Sequence, residues 1–177
     1  MSMKAFSMWR RFKRTEDGNV NVEFAFIIPS FIFVVLAGVE LSLVTVQQTM
    51  LERAVDLTVR DVRLGTGSNF QHDDLKEAIC VRAQFIKECS SNLRLEMIEQ
   101  SAFDGIVLST EADCTDKREE VNPVLNFNNG AENQLMILRA CARIDPVFPT
   151  TVIGKTLVAD SDQYALTATT AFVQEPM

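Results

Sequence analysis

The chain is poor in the residues from which most active sites are built. It has one histidine, His72, and four cysteines (Cys80, Cys89, Cys114 and Cys141) with no Cys-x-x-Cys pair among them. Zinc sites take closely spaced Cys and His ligands, so no metal centre is expected. There is no Gly-x-Ser-x-Gly elbow and no glycine-rich phosphate loop, and nothing pairs a nucleophile with a base. Acids are plentiful, but their spacing suits solvated faces; Glu119-Glu120 after Lys117-Arg118 reads as a charged loop. The reading is no enzyme and no cofactor.

Basic residues are also scarce. Lys and Arg number 17 against 24 Asp and Glu, a net charge of -7, with a pI near 4.8. A chain this acidic lacks the electrostatic footprint of a nucleic-acid binder. The deficit is uneven. Residues 1–18 carry five bases (Lys4, Arg10, Arg11, Lys13, Arg14) and two acids (Glu16, Asp17), a net +3, whereas the other 159 carry 12 bases and 22 acids, a net -10. Hydrophobic residues at 47% of 177 exclude wholesale disorder, and a mean hydropathy of +0.07 is too low for a polytopic membrane protein.

The apolar excess sits in one block. Phe24 to Val46 reads FAFIIPSFIFVVLAGVELSLVTV, 23 residues with a single charge, Glu40. As a helix it rises roughly 35 Å, enough to cross a hydrocarbon core of about 30 Å. A buried core helix would carry more polar interruptions. All five early bases lie before the span, so the positive-inside bias leaves residues 1–18 in the cytoplasm and exports the body. A cleaved secretory signal fits poorly: the apolar run is too long, and Gly38 is followed by more apolar sequence.

Just before the span stands Thr15-Glu16-Asp17-Gly18-Asn19-Val20-Asn21-Val22-Glu23-Phe24. A carboxylate at the mouth of a membrane helix is costly unless it is partnered or stays at the interface. Gly18, four residues, then Glu23-Phe24, with Ala25 and Pro29 in an apolar run behind a basic leader, resembles the class III prepilin-type signal of the TadE-like pseudopilins. The resemblance implies a cut by a membrane aspartic peptidase after Gly18, with Asn19 as the new N-terminus and Glu23 as its fifth residue. Phe24 fits the TadE and TadF types, where major Flp pilins usually show Glu-Tyr. The closing ATTAFVQEP (Ala168 to Pro176) and Asp145-Pro146-Val147-Phe148-Pro149 are similar to the same family. Residues 100–130 match nothing in it.

Beyond Val46 the pattern stays helical: Met50, Leu51, Ala54, Val55, Thr58, Val59 and Val62 recur at three- and four-residue steps, until Gly65 and Gly67 punctuate it. Pro29 removes one donor and can kink the lower part. A second helix is expected from Asp73-Asp74 to about Glu88. Strand signals follow at Leu93–Met97, Ile106–Leu108, Leu135–Leu138 and Tyr164–Val173. The fold class is therefore α+β, with a long N-terminal helix, a second helix and an antiparallel sheet of about four strands. The domains read as a leader 1–18, a long helix 19–64 with its span at about 24–46, and an exported domain 65–177.

Outside the cytoplasm, four cysteines favour disulfides. They allow three connectivities, among which Cys80–Cys89 with Cys114–Cys141 is preferred. If the second helix ran unbroken through Cys89, the first pair would face opposite ways and could not join.

The resemblance implies a minor pseudopilin that takes part in assembly, initiation or tip formation of a Tad (Flp-type) pilus. Its expected partners are the prepilin-type peptidase, TadF-like and major Flp pilins, and the assembly machinery of the bacterial inner membrane. Glu23 is expected to contact the N-terminal amine of a neighbouring subunit, and Glu40 reads as an interfacial carboxylate. The rival reading is an unprocessed single-pass protein with a periplasmic ligand- or partner-binding domain.

Overall fold

The long apolar run winds into one helix, α1 (Val20–Arg63), with Pro29 inside it and Arg60 and Arg63 in its last turn, where cations favour the helix C-terminus. The computed structural model describes residues 20–64, 70–101, 105, 108, 112, 114, 127–158 and 162–175. The chain divides into two units, one ending at Val39 and one beginning at Glu40.

Within the second unit, α1 carries the stripe anticipated from its periodicity. Leu51, Ala54, Val55, Thr58, Val59 and Val62 are all buried, and the apolar members join one core cluster with the sheet. Truncating a fully buried leucine such as Leu51 costs about 2–5 kcal/mol. Thr58 satisfies its hydroxyl by donating to the Ala54 carbonyl at 2.8 Å.

The sheet has three described strands, β1 (Leu93–Gln100), β2 (Leu135–Ile144) and β3 (Tyr164–Val173), antiparallel and in that spatial order. The register sets Leu95 opposite Ala140 and Ala140 opposite Ala168. Leu93, Leu95 and Met97 therefore share a face with Leu138, Ala140, Ala142, Leu166 and Ala168, all buried. The other face places Glu96 opposite Arg139. There Arg139 Nε donates to the Glu96 carboxylate at 2.9 Å, which partners a buried guanidinium. Of about four expected strands, three are present. The fourth, Ile106–Leu108, lies outside the described residues except Leu108, which belongs to no strand.

The second helix, α2 (His72–Arg82), is shorter than its sequence pattern suggests. Asp74 accepts the Gln71 backbone N–H at 3.1 Å, closing the helix start. The helix stops at Arg82 rather than about Glu88, and Glu88 adopts a left-handed conformation before a single turn, α3 (Cys89–Asn92). That early stop turns the chain back, and Cys80 joins Cys89 across it with Cα atoms 5.5 Å apart. Cys114 joins Cys141 of β2. Arg82 also ties α2 to α1, donating to Thr58 Oγ1 at 2.9 Å and to Asp61 at 2.6 Å.

Candidate functional site

From Val20 to Val39 the helix has almost no polar surface, and its apolar side chains stand exposed. Phe24, Phe26, Phe31 and Phe33 are more than half exposed, Phe26 at 76%. A soluble monomer rarely leaves so large a contiguous apolar surface in water. The helix is long and apolar enough to cross a membrane by length and composition, and it alone is so among the described residues. Glu23 is exposed in the first turn, where a carboxylate complements the helix N-terminus. Phe24 follows it, also exposed. Gly18 and Asn19 lie outside the described residues.

At Glu40 the character of the helix changes. This one charge of the apolar run is 1% exposed, and its two carboxylate oxygens accept the backbone N–H groups of Val147 at 3.0 Å and Phe148 at 2.9 Å. A buried carboxylate is tolerable when charge-assisted hydrogen bonds replace its water. Read from sequence as an interfacial carboxylate, Glu40 also serves as an internal fastener. It holds the Asp145–Pro149 segment to the helix, and no local signal betrays this because its partners lie 107 and 108 positions away.

The loop so held is well braced. Thr151 accepts the Gly154 N–H through its hydroxyl at 3.1 Å, capping a short helix, α4 (Val152–Val158). Its own N–H and hydroxyl both donate to the Phe148 carbonyl, at 3.1 and 2.8 Å. A Cβ on Gly154 would collide with that same carbonyl oxygen, so the close approach requires glycine. Sequence reading gave no hint of α4.

About two turns beyond Glu40, further polar ties run to β3. Tyr164 Oη donates to Gln47 Oε1 at 2.6 Å, and Gln48 Nε2 donates to the Thr167 carbonyl at 3.0 Å. Burial, reinforced by the Glu40 and Asp145 carboxylates, pushes the Tyr164 hydroxyl up to about 12. Tyr164 stays a neutral donor at any ordinary pH. The arrangement offers an apolar helix surface and a set of structural fasteners. Among the described residues no cluster of three or more His, Cys, Asp or Glu could hold a metal.

Comparison with curated proteins and with solved structures gives no match. The model of the TadE-like protein family matches residues 18–60, about a quarter of the chain, from Gly18 into the buried stripe of α1. The family resemblance read from the sequence is thereby shown over residues 18–60, where this chain is similar to the TadE-like proteins.

Proposed function

We infer that the protein is a minor pseudopilin of a Tad-type pilus, acting in assembly, initiation or tip formation, and a substrate of a prepilin-type peptidase. The observation that carries this reading is where the family match begins. It starts at Gly18, two residues before the apolar helix starts at Val20. A cut after Gly18 removes the leader with its five bases. It leaves an apolar helix that can pass from bilayer to fibre without dragging that charge through lipid.

The sequence pattern sets the span at about residues 24–46; in this reading the buried Glu40 ends it, and the membrane stretch is about residues 20–39. Twenty helical residues rise about 30 Å, the thickness of a hydrocarbon core, and Glu40 with its bound backbone begins the exported unit. The leader lies in the cytoplasm and the sheet unit in the periplasm, as the charge asymmetry favours. Partners are the processing peptidase, other pilins and pseudopilins, and the inner-membrane assembly machinery. The N-terminal mass of the protein from cells with an active peptidase tests this. A chain starting at Asn19 supports processing, whereas an uncut chain favours a plain single-pass anchor.

A further inference from the structure

The sequence contains one Asn-Gly pair, Asn129-Gly130, in the segment before β2. Such a pair commonly makes a hairpin turn with positive φ. Here it does not: Asn129 and Gly130 lie in no turn or regular element, and the left-handed residue of this segment is Asn133. Glycine is required at position 130 by packing instead, because a Cβ there would collide with the side chain of the buried Met136.

That packing demand leaves a reactive pair. Asn129 is exposed, and among the described residues neither its side-chain amide nor the Gly130 N–H has a hydrogen-bond partner. The backbone nitrogen of a following residue lies within reach of an asparagine carboxamide carbon, and a glycine sets no side chain in the way. The other asparagines near the sheet lack this combination. Asn92 is buried and donates to the Lys87 carbonyl at 3.0 Å. Asn133 is followed by Gln134, and its own N–H is held by the Gln174 carbonyl at 2.9 Å.

We propose that Asn129 is a self-modification site of the folded protein, converted by Gly130 and water to an aspartyl or isoaspartyl residue. The Gly130 nitrogen attacks Asn129 Cγ, its proton leaves with the side-chain nitrogen as ammonia, and a five-membered succinimide forms. Water then opens either carbonyl–nitrogen bond of the ring, which leaves a carboxylate on the side chain or on the main chain. Both products add one negative charge. The isoaspartyl product also adds one backbone atom between two anchors, Asn128, whose N–H donates to the Met97 carbonyl of β1 at 3.0 Å, and Gly130, which packs on Met136 of β2.

The test incubates the full chain in detergent at neutral and mildly alkaline pH, folded and unfolded in urea, and follows its peptides by liquid chromatography and mass spectrometry. The expected result in the folded protein is a gain of about one dalton at position 129, split between two separable products. The rate should rise with pH, because base withdraws the Gly130 proton. A hydrogen bond shielding the pair would slow the folded protein by about tenfold, so the folded rate should lie within that factor of the unfolded one. Asn129→Gln, whose longer side chain closes a five-membered ring no more, should abolish the change. A folded protein that stays unmodified while its unfolded form converts overturns the proposal. So does a gain that survives in Asn129→Gln, since it then belongs to another residue.

Discussion

The carboxylate of Glu40 and the backbone N–H of Phe148 meet at 2.9 Å across 108 positions of sequence. That hydrogen bond, with its twin from Val147, marks the residue at which an exposed apolar helix becomes part of a packed α+β unit.

Replacing Glu40 by alanine leaves two N–H groups without their acceptor. An unsatisfied buried donor costs about 1–3 kcal/mol, so Glu40→Ala is expected to destabilise the sheet unit by roughly 2–4 kcal/mol. Hydrogen exchange checks the assignment locally: the Val147 and Phe148 amides should exchange faster in the variant, while amides at the centre of β2 change only by the global loss. Equal protection at 147 and 148 in both proteins would show that Glu40 does not hold the loop.

The chain has one tyrosine, so its titration can be followed without ambiguity. Tyr164 is pushed up to about 12 by burial and by the Glu40 and Asp145 carboxylates, against about 10 in an unfolded chain. The folded state binds this proton more tightly. Its contribution to stability is therefore complete below pH 10 and is lost as pH rises toward 12. Tyrosinate absorbance should show a midpoint near 12 in the native protein and near 10 in denaturant. A native midpoint near 10 would mean that the hydroxyl is not buried against Gln47.

The fold was legible where its cause is local. The buried stripe of α1 and the alternation of β3 follow periods of 3.6 and 2, and both elements stand where the pattern placed them. The end of α2 was not legible, since Ala83-Gln84-Phe85-Ile86 carries no glycine or proline to stop a helix. The stop coincides with the Cys80–Cys89 bridge and the left-handed Glu88, features of tertiary structure. β2 runs past its apolar core Leu135–Leu138 to Ile144. Arg139 and Arg143 mask it in the sequence, and the cross-strand partner Glu96 that makes Arg139 acceptable lies in another strand. The fastening role of Glu40 was hidden for the same reason, its partners being distant backbone groups.

Both disulfides should resist thiol alkylation under denaturing, non-reducing conditions, with none of the four cysteines labelled. Separations of 9 and 27 residues predict unequal effects. Loop-closure entropy gives about 2.5 kcal/mol for the shorter and about 3.5 kcal/mol for the longer. Urea unfolding of the Cys80→Ser/Cys89→Ser and Cys114→Ser/Cys141→Ser pairs should rank them in that order. Labelling of all four cysteines would remove the bridges from the mature protein.

Glu23 is exposed in the first turn of α1, free to meet a group from another subunit. If that group is the α-amino group of a processed neighbour, Glu23→Gln leaves an unpaired cation in an apolar setting, a loss that exceeds the worth of the pair itself. The variant should be cleaved and should keep a folded sheet unit, yet co-purify poorly with other pilins and reduce piliation. Normal association by a cleaved Glu23→Gln protein would confine Glu23 to the membrane interface or to peptidase recognition.

The most direct measurement is the intact mass of the protein extracted from membranes of cells with an active prepilin-type peptidase, beside the same protein from cells lacking it. Processing at the glycine that opens the TadE-like match predicts a chain beginning at Asn19 in the first sample and an uncut leader in the second. A Gly18→Leu variant should remain uncut in both. A Met1 or Ser2 terminus in peptidase-competent cells would contradict the pseudopilin reading and leave a single-pass membrane anchor in its place.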